Sequence, residues 1–399
     1  MSVRDSGSFA AEITVEELER DPYPIYARLR REQPVAWVPA VEMWLATRWE
    51  EAVRVASEPE LFAADMPGSP LDRSFGSPTI LTCDGPVHRD LRDGVDPKLR
   101  PREVEGYIDA LIEPIAREHL DAIAGGGKAE LMADYLEPVS VLGLGALLGL
   151  GDLDAGVLRR WFAGLAEGAV NFAADPERQE VSDAVCAEID ELLGPRLERL
   201  AAEPDESLIS HMLHGGLPAG ESRPVELVMP SLKVILLGGM QEPGHGAGTV
   251  LFGLLTHPEQ MRIVAAGGEE ELAAAIEEGM RWISPIGTQG RRTRVPVELC
   301  GIELPADEPV AAVISSANRD ESRFERPDEF DLGRERTRLA TFGFGRHFCS
   351  GHAFARQLER IALRELLDRL PGIELDPARE VPFSGWEFRA PRELHVRWL

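Results

Sequence analysis

The sequence predicts a mainly α-helical protein with small β-sheets, and three observations carry this. From Glu103 to about His214, apolar residues recur at helical spacing almost throughout. The runs are 103–124, 129–149, 157–172 and 176–202, with breaks at Gly125-Gly126-Gly127, Gly151 and Asp175-Pro176. A second helical stretch, 225–256, is strongly apolar from Leu227 to Leu237 apart from Pro230, Ser231 and Lys233. Strand signals are short by comparison and lie at 35–38, 43–46, 299–313 and 381–398.

A length of 399 residues would fill two or three average domains. No Pro/Ser/Gly linker, low-complexity tract or internal repeat marks a boundary. Lys and Arg number 42 against 69 Asp and Glu, a formal net charge of −27. Such a surface speaks against nucleic acid or an anionic membrane as partner. Cys83, Cys186, Cys300 and Cys349 lie far apart with no CxxC pair, which favours neither a disulfide framework nor a zinc site. No signal core and no 18-residue apolar span occurs, so a soluble, cytoplasmic protein is expected.

Residues 1–20 are polar and expected to be a flexible segment. Asp21-Pro22-Tyr23-Pro24 opens a short helix to about Arg31, and 35–38 with 43–46 read as a hairpin around Pro39 to Glu42. A helix over 49–58 follows. The Pro- and Gly-rich run 59–82 reads as a long loop, a feature usually tied to function. Asp84 is placed to cap the next helix, where His88 and Arg92 share a face at i, i+4 spacing. Two cationic donors there suit a carboxylate or phosphate, and a solvated charged face is the plain alternative.

The 225–256 helix then meets Gly238-Gly239-Met240-Gln241-Glu242-Pro243-Gly244-His245-Gly246-Ala247-Gly248. Glycine and proline are poor helix formers, and Pro243 cannot donate to the Gly239 carbonyl. A kink with an open polar groove is expected. Glu278 and Arg281, at i, i+3 on a helix over 269–282, can pair.

Phe342-Gly343-Phe344-Gly345-Arg346-His347-Phe348-Cys349-Ser350-Gly351 precedes a helical run from Ala353 to Leu370. Glycines here let a flat group approach the backbone. The helix N-terminus behind Cys349 is expected to lower its pKa and favour a thiolate. Thiolate ligation suits oxygen chemistry at haem iron. A buried structural cysteine in a glycine-rich turn is the ordinary alternative.

The Phe-Gly-x-Gly-x-His-x-Cys-x-Gly pattern closely resembles the haem-thiolate signature of the cytochrome P450 family, with Ser350 where the family has an apolar residue. The resemblance runs from about Asp21 to the C-terminus. It rests on four ordered elements: His88/Arg92, the glycine-rich helix, Glu278/Arg281 and the Cys349 motif. It implies a triangular single-domain fold over 21–399, with haem b (iron protoporphyrin IX) between the 225–256 helix and the cysteine loop. Cys349 would be the axial metal ligand. Gly239, Phe342, Gly343 and Gly351 would line the haem. His88, Arg92, His347 and Arg291 would neutralise its propionates, with Arg292 as the alternative to Arg291. Arg334 would join the Glu278/Arg281 pair. The tip at Ser384-Gly385-Trp386 would touch substrate.

The implied activity is insertion of one oxygen atom into a mostly apolar small molecule. Electrons would come from an external ferredoxin and ferredoxin reductase. Arg346, Arg356 and Arg360, with Lys98, Arg100 and Arg102, would form a basic docking patch on the acidic body. One departure stands out. Gln241 and Glu242 occupy the places of the family's acid and alcohol, which pass protons to iron-bound oxygen. Glu242, its pKa raised by burial, could relay protons itself, or it could bond locally while water or substrate does so. The departure leaves open peroxide use, oxidative coupling or a rearrangement, and a haem-based sensor is a further alternative.

Overall fold

Helix boundaries follow the punctuation of the sequence. The computed structural model describes residues 8–398. Proline opens the Pro101–Ile123, Pro176–Ala202 and Pro258–Ala266 helices, where a missing N–H costs nothing. Asp154 and Ser207 accept from backbone N–H groups at the starts of the Ala155–Ala169 and Leu208–His214 helices. These helices bury one shared apolar core with Glu137–Leu148, Val225–Met240, Glu242–Thr256 and His352–Arg369. Ile112, Leu144, Leu236, Val250, Leu358 and Leu363 are among its buried members.

The sheets are small and sit to the side of this core. Val35–Val38 pairs antiparallel with Met43–Ala46, Val35 opposite Ala46. Met43–Ala46 then runs parallel to Pro309–Val313, which pairs antiparallel with Thr288–Thr293. Phe62–Ala63 closes the far edge. This sheet matters because its Thr288–Thr293 strand carries Arg291. Among the described residues there are three smaller sheets, including the C-terminal pairing of Phe383–Ser384 with Ala390–Pro391. No helix among the described residues is long and apolar enough to cross a membrane.

Several elements differ from expectation. Within the segment expected to be flexible, residues 1–7 lie outside the described residues. From Ser8 on the chain forms Phe9–Glu12 and Val15–Arg20. A reciprocal Thr14/Glu17 capping box starts the second helix, and Ala10, Ile13 and Leu18 are buried beside Tyr26 and Trp386. Three spaced apolar residues fix this segment, too few to show a period. The 59–82 loop contains the Phe62–Ala63 strand and a Pro70–Phe75 helix capped by Ser69.

The helix expected over 129–149 begins only at Glu137. Lys128–Glu130 is a strand paired with His395–Arg397, and Met132–Leu136 is a π-helical turn. The Glu130 carboxylate accepts from the Met132, Ala133 and Leu394 N–H groups, which diverts the backbone from a regular helix start. The 225–256 helix is two helices that break at Gln241.

Candidate active site

The cysteine loop is shaped by two left-handed glycines, Gly343 (φ 70°) and Gly345 (φ 68°). A Cβ on Gly345 would lie 2.7 Å from the Ala56 carbonyl oxygen, and one on Gly343 2.8 Å from Gln289 Oε1. The Cys349 N–H donates to the Phe342 carbonyl at 2.9 Å and closes the loop. Ser350 donates to the Asp96 carboxylate at 2.7 Å, which accounts for a hydroxyl at an otherwise apolar position. Cys349 itself is half-buried. Its thiol does not follow the expected lowering. Burial pushes its pKa up, against the Gly351 N–H and the charges of Arg92 and Arg356. The helix end alone does not make the thiolate, whereas a bound metal cation would.

Beside the loop, three buried basic side chains from separate elements converge. His88 comes from Gly85–Asp93, Arg291 from Thr288–Thr293 and His347 from the loop. The two imidazoles are 4.1 Å apart between ring centroids. His88 Nε2, His347 Nδ1 and Arg291 Nη2 are all buried with no hydrogen-bond partner. Burial lowers the pKa of His88 to about 4, of His347 to about 3 and of Arg291 to about 10. Unpartnered buried groups of this kind are rare and call for a ligand. An anion would satisfy all three.

One expectation changes here. Asp84 makes no cap hydrogen bond. Its carboxylate accepts from the Ala64 N–H (2.9 Å) and Arg294 Nη2 (2.8 Å) and lies 3.3 Å from His347 Nε2. Arg92 lies close enough to His88 for its charge to help depress the imidazole's pKa. It donates to Asp96 and to the Phe348 carbonyl, each at 2.9 Å, and so braces the cysteine loop. Arg292 is held by Asp65 and Asp307, which leaves Arg291 as the arginine with a spare donor.

The helix break has an unforeseen support. Ser140, fully buried, donates to the Met240 carbonyl at 2.5 Å and accepts from the Gly244 N–H at 3.2 Å. Regular winding resumes where the His245 N–H meets the Gln241 carbonyl at 2.8 Å. Gln241 and Glu242 are both buried, and neither carboxyl oxygen of Glu242 has a partner. Burial raises the Glu242 pKa to about 8, so at pH 7 this acid is mostly protonated. Leu144 Cδ2 stands 3.0 Å from where a Cβ on Gly239 would be. Gly238 has nothing within 4 Å of the corresponding point.

The Glu278/Arg281 pair forms as expected. Arg281 Nε and Nη2 reach Glu278 at 2.8 and 2.9 Å, and Arg334 Nε joins at 3.2 Å. Arg281 also donates to the Asn318, Pro327 and Glu329 carbonyls. Asn318 Oδ1 in turn accepts from the Ala340 N–H at 2.7 Å, just before the cysteine loop. Sequence reasoning missed Ser140, Gln289 and Asn318. Each is an isolated polar residue whose partner is distant in the chain, so no local pattern signals it.

Trp386 does not reach out as a pocket tip, since it is buried against Phe172. The expected basic patch is largely neutralised. Arg356 pairs with Glu277, Arg360 with Asp109 and Glu269, and Lys98 with Glu206. Arg100 and Arg102 are exposed and carry no ion pair among the described residues.

The description "Cytochrome P450" belongs to a family model that matches residues 271–382. The chain is 30% identical to cytochrome P450 monooxygenase PikC of Streptomyces venezuelae, over 96% of this chain and 92% of that protein. It is also 30% identical to 6-deoxyerythronolide B hydroxylase of Saccharopolyspora erythraea, over 91% and 93%. Among solved structures, cytochrome P450 CYP109Q5 from Chondromyces apiculatus superposes with a TM-score of 0.84 at 28% identity, covering 96% of this chain and 97% of that one. P450BioI, solved with an acylated acyl carrier protein, gives 0.85 at 25% identity, covering 96% and 100%. Relatives aligned along almost their whole length, on the same helical framework, place the chain in the cytochrome P450 family, whose members named here as monooxygenases and hydroxylases are haem-iron oxidoreductases.

Proposed function

We propose that the protein is a haem b monooxygenase in which Cys349 ligates the iron, acting as one domain over 21–399 that the packing of residues 8–20 extends to Ser8. The observation that carries this reading is the trio of unpartnered buried donors, His88 Nε2, His347 Nδ1 and Arg291 Nη2, beside the Cys349 loop. Propionate carboxylates are anions of the right kind to satisfy them. The open face of Gly238, with nothing within 4 Å of where its Cβ would stand, supports room for a flat macrocycle beside the helix break.

Bound haem supplies the iron at which dioxygen is reduced, so that one oxygen atom enters the substrate and the other leaves as water. The chain's own residues do the rest. Arg92, through the Phe348 carbonyl, and Ser350, through Asp96, hold the loop that presents the sulfur. Glu242 holds a proton on the distal side, inside a break kept by Ser140 and Pro243.

The proposed substrate is a mostly apolar small molecule, hydroxylated at carbon. Relatives whose names state a substrate act on 6-deoxyerythronolide B, vitamin D(3) and a steroid. Phe162 and Phe388, 6.0 Å apart between centroids, offer an aromatic wall near the break. Electrons are proposed to come from an external ferredoxin and its reductase in the cytoplasm, with the exposed Arg100 and Arg102 as contacts on an otherwise acidic body. The Gln241–Glu242 pair supports one second reading, a reaction that draws on peroxide instead of dioxygen.

A screen of apolar small molecules for shifts of the haem Soret band, followed by turnover, tests the proposal. Oxygenated product from ferredoxin, reductase and NADPH supports the monooxygenase. Product from peroxide alone moves the reading to the second. Spectral binding without product from either source contradicts both.

A further inference from the structure

The charges of two arginines and one carboxylate reach the Cys349 sulfur, and each comes from a different element. Burial disfavours an anionic sulfur, while the Gly351 N–H and the charges of Arg92 and Arg356 favour it, and the charge of Asp96 acts on the side of burial. Arg356, on the His352–Arg369 helix, lies over the Phe342 ring at 4.2 Å and pairs with Glu277. Arg92, on the Gly85–Asp93 helix, pairs with Asp96, the first residue of the short Asp96–Leu99 helix, at 2.9 Å.

Asp96 reaches both neighbours of Cys349. Its carboxylate accepts from the Ser350 hydroxyl at 2.7 Å and from Arg92 Nε at 2.9 Å. The same guanidinium donates through Nη1 to the Phe348 carbonyl at 2.9 Å. One carboxylate thus ties the residue after the sulfur directly and the residue before it through Arg92. The Cys349 N–H to the Phe342 carbonyl already closes the loop, so what this bridge adds is a charge at a set place.

The turn that carries Asp96 is fixed from behind. His211 Nδ1 lies 2.8 Å from the Gly94 carbonyl oxygen. Buried Arg223 donates to the Asp90 carboxylate and to the Met212 and Gly215 carbonyls. A Cβ on Gly94 would stand 2.9 Å from the Met212 carbonyl oxygen, which leaves this turn little freedom to move. The Asp96 side chain is 34% exposed, so it can be replaced without opening the core.

We propose that Asp96 is a positioning residue that sets the reduction potential of the bound haem, by offsetting the Arg92 charge beside the sulfur while Ser350 holds the carboxylate in place. This rests on the reading of Cys349 as the axial ligand. Reduction adds one electron to the iron and makes or breaks no bond. Positive charge near the sulfur favours the reduced iron and negative charge the oxidised iron. With Asp96 present, the Arg92 charge is offset close to its source. Without it, the sulfur faces Arg92 and Arg356 with one opposing charge fewer. Ser350 acts through Asp96, since its hydroxyl orients the carboxylate and an apolar side chain at that position would not. Groups one step out from a metal ligand commonly tune the metal in this way.

The test is a spectroelectrochemical titration of the substrate-free holoenzyme. Asp96→Asn keeps the shape and removes the charge. Its couple is expected to move positive, raising the reduced-to-oxidised ratio at a fixed potential at least about threefold, which is about 28 mV for one electron. Asp96→Glu keeps the charge and should stay within about half of that shift. Ser350→Ala takes a donor from Asp96 and leaves its charge less compensated, so its couple should move negative. A shift in Asp96→Asn that is smaller than about threefold, or negative, overturns the proposal. So does an equal shift in Asp96→Asn and Asp96→Glu, or a Ser350→Ala couple that moves positive, since each would make Asp96 a brace of the loop alone. Failure of the haem-thiolate reading would show separately, as a wild-type carbon-monoxide complex without the thiolate band.

Discussion

The Ser140 hydroxyl accepts a 3.2 Å hydrogen bond from the Gly244 N–H, in the place that the Met240 carbonyl holds in an unbroken helix. It hands its own hydrogen to that carbonyl at 2.5 Å. The two backbone groups are satisfied without touching each other, and the break stays open where Glu242 lies. Ser140→Ala leaves both groups unmet or lets the helix close. The expected cost is about 1–3 kcal/mol of stability, read from urea unfolding, together with a fall in product per NADPH. Wild-type stability and coupling in Ser140→Ala would remove the splint from the account.

The unpartnered donors predict haem retention. Each of His88, His347 and Arg291 is expected to give a charge-assisted hydrogen bond worth roughly 1.5–3 kcal/mol. Any double alanine variant of the three should therefore lose haem to an excess scavenger at least about a hundredfold faster. Arg92→Ala should also loosen the cysteine loop, because its Nε and Nη1 hold Asp96 and the Phe348 carbonyl. Equal haem loss in wild type and the double variants would contradict the assignment.

Much of the site was legible in the sequence, for a physical reason. The cysteine loop, the glycine-rich break and the Glu278/Arg281 pair each put chemistry on adjacent residues, so spacing alone reveals them. The choice of Arg291 over Arg292 was not legible. It depends on Asp65 and Asp307, which reach Arg292 from other segments. Ser140 was hidden for the same reason, since it meets Gly244 only through packing of two helices. The thiol of Cys349 was misjudged because burial outweighs the helix end, and a sequence shows the helix end but not the burial.

Stability of the haem-free protein should depend on pH through buried groups of opposite sign. His88 and His347 titrate near 4 and 3 when folded, below the ordinary 6.5. The unfolded chain binds more protons in that window, so stability is lost as pH falls from about 6.5 toward 3. Glu242 titrates near 8 when folded, above the ordinary 4.5, so the folded state binds more protons in that window and stability is lost as pH rises from about 4.5 to about 8. Thermal unfolding should lose its fall toward acid pH in His88→Ala/His347→Ala and its fall between about pH 4.5 and 8 in Glu242→Gln. An unchanged profile in either variant would refute the corresponding assignment.

Glu242 should also control coupling. Glu242→Gln is expected to cut product per NADPH at least about tenfold. Glu242→Thr, with an uncharged hydroxyl, should keep much of the activity and weaken the pH dependence. Equal coupling in all three proteins at every pH would assign proton delivery to water or substrate instead.

The central claim is that Cys349 is the sulfur ligand of a haem iron, and the spectrum of the reduced carbon-monoxide complex tests it most directly. The account predicts the red-shifted Soret band of thiolate ligation in the wild type and in variants lacking Cys83, Cys186 or Cys300, and its loss in Cys349→Ala. A Cys349→Ala protein that keeps the band, or a wild type that never shows it, would contradict the account.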